Sequence, residues 1–136
     1  MYIEFDARNS ISVPEPYKRV LTTYLMPETA PIPLPFSVHL CEWEPGQQND
    51  MHAHKVETEV MYVLSGHGKA FNNGEEVALA PGGMLVAAPG EEHVIINNSG
   101  ETLRLLCIFS PPTTRAALKE RADQAQAEYN ANIAKG

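Results

Sequence analysis

The chain has 136 residues, of which 43% are hydrophobic and 20% are charged, and these values predict one globular domain with one core. Ten basic and seventeen acidic side chains give a net charge of −7, and no basic block supports a nucleic-acid partner. No apolar run approaches the roughly 20 residues of a membrane span, and no signal-peptide pattern is visible. We therefore expect a cytoplasmic protein with neither nucleic-acid nor membrane partners.

Residues 1–35 are predicted to form an extended N-terminal arm. Six of the eleven prolines lie in this segment. Because proline fixes φ and has no N–H group, the stretch "MPETAPIPLPFS" is expected to be extended and irregular. Ile32, Leu34 and Phe36 give it apolar surface to bury. An arm of this kind is expected to pack along a sheet edge or across to a second subunit.

Residues 36–110 contain a series of short β-prone segments separated by turn sequences. The turns are marked by Gly, Pro and Asn, as in "EPGQQND", "NNG", "APGG" and "PGEE". The segments between them include "SVHLCEW", "VMYVLSG", "HVIINN" and "TLRLLCIFS". This spacing predicts an all-β fold in which antiparallel strands form a double-sheet sandwich or barrel.

Residues 113–135 are predicted to form a C-terminal helix, which completes a single domain over residues 1–136. The segment is rich in Ala, Glu, Gln and Lys, and Thr113 or Thr114 can cap it after two prolines. One apolar stripe recurs at helical spacing, and its members are Leu118, Ala122, Ala125, Tyr129 and Ile133. We expect this stripe to dock the helix on the barrel or on a partner.

Three histidines and one glutamate can converge at a strand-lined centre. His52 and His54 share one face if they lie in a strand, because alternate residues point the same way. Glu59 lies at an odd separation from His54, so a turn or bulge within "KVET" is needed to bring it to the same face. His93 follows the turn at Pro89-Gly90 and can join them from a neighbouring strand.

The residues around these histidines resemble the two signatures of the cupin superfamily. The first signature, G(X)5HXH(X)4E(X)6G, is matched at every position by Gly46, His52, His54, Glu59 and Gly66. The second, G(X)5PXG(X)2H(X)3N, is matched by Gly82, Gly90, His93 and Asn97. Ala88 stands where that signature has proline, which concerns the shape of a turn and not a ligand.

The resemblance implies a jelly-roll (cupin) barrel with a divalent metal ion in its mouth, bound by His52, His54, Glu59 and His93. Three imidazoles and a carboxylate suit Fe or Mn first, with Ni, Zn or Co as alternatives. Such a centre carries a net charge of +1. We therefore expect it to attract a small anionic ligand that binds through oxygen.

Several other residues have two interpretations at this stage. His39, Met61, Val63 and Ile95 are candidates for the pocket wall and equally for the core, and His39 can also be an ordinary strand histidine. Glu57 competes with Glu59 as a ligand if the strand register shifts. Asn97 is expected to satisfy backbone groups at a turn. Cys41 and Cys107 are expected to be buried free thiols, and a redox or metal-binding role is the alternative.

Three functions are consistent with these residues. The first is a metal-dependent enzyme acting as a dioxygenase, isomerase, decarboxylase or lyase on an anionic, oxygen-rich small molecule. The second is a non-catalytic ligand-binding or sensor cupin, and the third is a structural protein with a vestigial site. No general acid or base can be named. Because exposed strand edges need covering, we also expect a homodimer.

Overall fold

The computed structural model describes residues 1–135 and consists of two antiparallel sheets with one helix. The elements, in chain order, are a 3-10 turn (Ala7–Asn9), β1 (Ser10–Val13), β2 (Arg19–Leu25), β3 (Ser37–Trp43), β4 (Thr58–Ser65), β5 (Gly68–Asn72), β6 (Glu75–Leu79), β7 (Met84–Ala87), β8 (His93–Ile96), β9 (Leu103–Ser110) and α1 (Arg115–Lys135). No helix within residues 1–135 has the length and apolar character to cross a bilayer.

The strands form a six-stranded sheet in the order β1-β2-β3-β9-β4-β7 and a three-stranded sheet in the order β6-β5-β8. Alternation of side chains builds the core between them. On β9, for example, every second residue is buried, and these are Leu103, Leu105, Cys107 and Phe109. This arrangement confirms the predicted all-β double-sheet barrel with a C-terminal helix, although the two sheets do not close into a continuous barrel.

The N-terminal segment packs along a sheet edge, as expected for the arm, but part of it forms regular strands. Residues 26–36 are irregular, as their prolines predicted, but β1 and β2 lie within the six-stranded sheet, where β2 pairs with β3. The reason is the distribution of the prolines. They stand before Tyr17 and after Met26, so the stretch between them keeps every N–H group available for pairing.

The glycines of the two signatures shape the turns that lead into the site. Gly46, Gly66, Gly82 and Gly90 all have positive φ, between 81° and 86°. At Gly66 a side chain is excluded for two reasons: the positive φ disfavours any other residue, and a Cβ atom there would collide with the carbonyl oxygen of Thr102.

Helix α1 packs across the mouth of the barrel through its first three turns. The Thr114 hydroxyl accepts a hydrogen bond from the Ala117 N–H at 3.0 Å, so Thr114 caps the helix. Of the predicted apolar stripe, Leu118, Ala122 and Ala125 are buried. Tyr129 is partly exposed and meets the Tyr17 ring edge-on, with centroids 5.9 Å apart, whereas Ile133 is exposed, so the stripe docks through most of its length and not at its end.

Candidate metal centre

The two histidine-bearing segments are joined directly by an isolated antiparallel bridge between His52 and His93. His93 opens β8, and His52 lies in the loop that precedes β4. Their imidazole rings lie with centroids 4.4 Å apart. His54 joins them, with ring centroids 4.9 Å from His52 and 5.3 Å from His93.

Glu59 reaches the histidines because the chain bends between His54 and β4. The bend falls at Lys55 and Val56, within the "KVET" stretch where a break was predicted, and β4 begins at Thr58. The buried Glu59 carboxylate then points to the same centre. Its Oε1 atom lies 3.2 Å from Nε2 of His54 and 3.1 Å from Nε2 of His93.

Backbone carbonyl groups orient two of the imidazole rings. Nδ1 of His52 lies 2.8 Å from the Asp50 carbonyl oxygen, and Nδ1 of His93 lies 3.0 Å from that of Glu91. Because a carbonyl oxygen can only accept, each Nδ1 carries the proton and donates it. In a neutral ring this arrangement leaves Nε2 as the free base, which is how metal-binding histidines are held in proteins.

The electrostatics of the cluster favour a charged carboxylate. Burial acts to raise the pKa of Glu59, but hydrogen bonds and charge from His54 and His93 outweigh it and hold that pKa below its usual range. Burial opposes the charge of His93, whose pKa is nevertheless raised by the Glu59 hydrogen bond. Burial, followed by the Arg121 and His93 charges, lowers the pKa of His52 to about 3.

These four residues fit a divalent metal ion. One donor atom from each of His52, His54, Glu59 and His93 can be chosen so that all four lie within 4.8 Å of one another. Donor atoms held about 2.1 Å from one ion at right angles would be about 3 Å apart. The separations of 3.1 and 3.2 Å between Glu59 and two histidines match that value.

A small cavity adjoins the cluster inside the barrel. Its volume is about 40 Å³, and His52, His54 and Glu59 contribute to its lining. Of the predicted pocket residues, His39, Met61 and Ile95 also line it. Val63 does not: it points inward on β4 but lies deeper, opposite Leu105, and is part of the packed core.

Two arginines that the sequence did not single out also line this cavity. Arg19 is buried on β2, and Arg121 reaches the cavity from α1. Arg121 donates to both carboxylate oxygens of Asp50, at 3.1 and 3.2 Å. For Arg19 the sequence did contain a signal. Side chains alternate between the two faces of a strand, which places Arg19 on the same face of β2 as Leu21 and Thr23.

The two cysteines are free and buried, and both line the cavity. Burial raises the pKa of Cys41 to about 12. Burial, followed by the Glu59 charge, raises the pKa of Cys107 well above its usual value. Thiols held in their protonated form are poor nucleophiles and poor metal ligands, so the structure favours buried free thiols over a redox or metal-binding role.

Glu57, the alternative ligand, and Asn97 lie outside the cluster, as do two further basic residues, His67 and Arg104. Glu57 is not part of the metal-binding group, and His67 is exposed beside Glu101. Arg104 pairs with Glu42 at 3.2 Å and does not line the cavity. Asn97 is fully buried, and its amide bonds the carbonyls of Trp43 and Glu101 and the N–H of Ser99, as expected for a structural residue.

The fold and the cluster together define a class: a double-sheet β-barrel with a His/Glu group suited to a divalent metal ion at its mouth. The family model described as "Cupin domain" matches residues 39–109, just over half of the 136-residue chain. The chain belongs to this cupin family.

Curated relatives match part of the chain. The oxalate-binding protein of Thermotoga maritima is 33% identical over 65 residues, which cover 48% of this chain and 54% of that protein. The L-ectoine synthase of Hyphomonas neptunium is 28% identical over 81 residues, covering 58% of this chain and 59% of that enzyme. The chain thus matches between half and three fifths of the length of these relatives.

Solved structures show the same fold. An ectoine synthase from P. lautus superposes with a TM-score of 0.71 at 22% identity, covering 85% of this chain and 78% of that one. A Cupin 2 conserved barrel domain protein from Salinispora arenicola superposes with a TM-score of 0.65 at 21% identity, covering 91% and 97%.

Proposed function

We propose that the chain binds one divalent metal ion through His52, His54, Glu59 and His93 and acts as a metal-dependent enzyme on a small anionic molecule. The observation that carries this proposal is the convergence of four donor atoms within 4.8 Å at the wall of a cavity of about 40 Å³. A space of that size admits a few non-hydrogen atoms beside the metal ligands. The site therefore combines a metal-binding group with room for a small reactant.

The donor set suits several metals, with iron or manganese first and nickel, zinc or cobalt as alternatives. Four protein donors leave two positions open on a six-coordinate ion, whereas the same four would close a tetrahedral one. The bound ion supplies Lewis-acid chemistry, or oxygen chemistry if it is iron. The protein contributes the orientation of two imidazole rings, through the carbonyl groups of Asp50 and Glu91, and a cavity wall that combines apolar side chains with two arginines.

The charge of the centre favours an anionic oxygen ligand. A divalent ion with one carboxylate and three neutral imidazoles carries a net charge of +1, and Arg19 and Arg121 add positive charge to the same cavity. One relative supports this ligand class, because it is named an oxalate-binding protein. The reaction types consistent with the centre are those of a dioxygenase, an isomerase, a decarboxylase or a lyase.

A specific observation favours a second candidate, a cupin that binds its ligand without converting it. Three titratable groups in the cavity stay neutral near pH 7: burial lowers the pKa of His39 to about 4 and raises those of Cys41 and Cys107. None of these three groups is tuned to exchange a proton at neutral pH, as a general acid or base would be.

Turnover separates the two candidates. Metal-free protein would be loaded in separate samples with Fe(II), Mn(II), Ni(II), Co(II) or Zn(II). Each sample would receive a panel of two- to four-carbon carboxylates, hydroxy acids and diketones, with oxygen uptake and NMR of the products as readouts. The enzyme proposal predicts turnover of at least one compound with at least one metal.

The matched variants are Glu59→Gln, which removes the carboxylate, and His67→Ala, which removes an exposed histidine outside the cluster. We expect Glu59→Gln to abolish turnover and His67→Ala to retain it. Saturable metal-dependent binding without turnover would establish the second candidate, and neither binding nor turnover with any metal would contradict both.

A further inference from the structure

We propose that Arg19 and Trp43 form an anion-binding subsite inside the cavity, and that the physiological ligand is a short acid with a second anionic oxygen group bound there. One end of this ligand is held at the metal centre, so that end rests on the proposed function. The subsite itself consists of residues of this chain and is testable without the metal.

Arg19 is a buried cation that forms no ion pair with any carboxylate in residues 1–135. Only 5% of the residue is exposed, and burial lowers the pKa of its guanidinium. One N–H group donates to the Tyr17 carbonyl oxygen at 2.8 Å. Among residues 1–135 no carboxylate lies within ion-pair distance of the Arg19 guanidinium. The Asp50 carboxylate binds Arg121 instead, through both of its oxygens. A buried charge with so few partners is costly unless a ligand completes its environment.

Two buried polar atoms beside the same cavity also have no hydrogen-bond partner within residues 1–135. They are Nε1 of Trp43 and Nδ1 of His39. Both residues line the cavity and are 2% and 3% exposed. The indole N–H can only donate, so an acceptor is missing at that position. Unpaired buried groups of this kind are uncommon in folded proteins and need an explanation.

The sheet register brings the two donors of the subsite together. On β2 and β3, Val20 lies opposite Glu42 and Leu21 opposite Cys41. The same antiparallel register places Arg19 beside Trp43, with both side chains on the inward face. Both residues line the same cavity, where the indole N–H has no acceptor and the guanidinium has only the Tyr17 carbonyl oxygen.

Residues of the subsite and of the metal cluster line one small cavity. Arg19, Trp43, His54 and Glu59 all line the cavity of about 40 Å³, and the negative charge of Glu59 acts on Arg19. The apolar part of the lining includes Met61, Cys107 and Phe109. Because the cavity is so small, the ligand must be short, with at most one carbon between its two oxygen-bearing ends, and a bulky substrate is excluded.

The test compares malonate, which has two carboxylates, with acetate, which has one. Both would be titrated calorimetrically into Mn(II)-loaded parent, Arg19→Gln, Trp43→Phe and Arg104→Gln, with the metal content of every sample measured. Arg104→Gln is the matched control, because Arg104 lies on β9, pairs with Glu42 and does not line the cavity.

We expect Arg19→Gln to weaken malonate binding by about 10- to 100-fold, the loss of a charge-assisted hydrogen bond, with acetate affected less than about threefold. Trp43→Phe should weaken malonate by about three- to tenfold, and Arg104→Gln should change neither ligand. The unliganded Arg19→Gln protein should melt no lower than the parent, because an uncompensated buried charge has been removed. If Arg19→Gln does not fold, Arg19→Lys, which keeps the charge but loses the fork, should still weaken malonate selectively.

Equal effects on malonate and acetate in Arg19→Gln, or no binding of malonate by the parent, would overturn the subsite. A parent that takes up no metal would contradict the proposed function and not the subsite. In that case malonate would be titrated into the metal-free protein. Binding that Arg19→Gln abolishes would support the subsite, and binding that is absent or independent of Arg19 would overturn it.

Discussion

His52 and His93 are joined by two backbone hydrogen bonds, each residue donating its N–H to the carbonyl oxygen of the other, at 3.0 and 2.8 Å. This bridge fixes two segments that are distant in sequence in one register. The side chains of both residues therefore reach the centre from backbone that is already held in place. Side chains positioned in this way lose little entropy when they bind a metal ion.

Asn97 is predicted to be the most sensitive structural residue near the site. Its buried amide satisfies the carbonyl groups of Trp43 and Glu101 and the N–H and hydroxyl groups of Ser99. Asn97→Ala would leave these groups unpaired and should lower the free energy of unfolding by about 2–4 kcal/mol. Urea denaturation measures this change. The exposed neighbour provides the control, since Asn98→Ala should change stability by less than about 0.5 kcal/mol; equal effects of the two substitutions would contradict the role of Asn97.

The ion pair between Arg121 and Asp50 is predicted to hold α1 over the cavity. Both side chains are largely buried, and the contact is bidentate. Arg121→Gln should destabilise the protein by about 1–2 kcal/mol and increase hydrogen exchange in the first turns of α1. The exposed pair of Lys119 and Asp123 on the same helix is the control, and Lys119→Gln should have almost no effect. Unchanged exchange in Arg121→Gln would show that the pair does not anchor the helix.

His39 is predicted to make stability depend on pH. Burial lowers its pKa to about 4, whereas in the unfolded chain it lies near 6.5. Between these values the unfolded state binds more protons, so the stability contribution is complete above pH 6.5 and is lost as the pH falls toward 4. The loss attributable to this residue is about 3 kcal/mol.

The variant His39→Phe keeps a ring to stack on Phe109 but cannot take up a proton. Denaturant unfolding of both proteins across pH 4–7 should show a shallower slope for the variant, whatever its absolute stability. Parallel slopes would show that His39 does not titrate differently in the two states.

We predict a homodimer that forms through the open edge of the six-stranded sheet. The edge strand β7 and its neighbour β4 present Met84 and Val86, which are 60% and 48% exposed, together with Tyr62 and Leu64. An exposed apolar edge of this kind favours pairing with another chain. Sedimentation should show a dimer at micromolar concentration that the double substitution Met84→Lys/Val86→Lys dissociates. A monomeric parent would contradict this prediction. A dimer that Ile133→Lys on α1 dissociates, and that the double substitution does not, would also contradict it.

The signature residues could be predicted because their spacing is local. The separation between His52 and His54, the break before Glu59 and the turn before His93 each depend on a few neighbouring residues, and the structure brings all four side chains together. The double-sheet fold followed from the turn residues between short apolar segments in the same way.

Arg19 and Arg121 could not be predicted in this way, because their positions depend on contacts between distant elements. The number of prolines near the N-terminus suggested an arm, whereas the proline-free stretch that contains Arg19 pairs with β3. The apolar stripe of α1 predicted docking, but only the packed structure shows which polar side chain at its border turns inward. Long-range packing of this kind has no signature in a single sequence.

The most direct test of the central claim is elemental analysis of protein purified without chelator or added metal, beside Glu59→Gln, His93→Ala and the exposed control His67→Ala. Circular dichroism would verify that each variant is folded. We predict close to one equivalent of a divalent metal, with iron or manganese first, in the parent and in His67→Ala, and a metal content well below one equivalent in Glu59→Gln and His93→Ala. A parent that contains no metal and takes none up on titration, or equal metal content in all four proteins, would contradict the assignment of this centre.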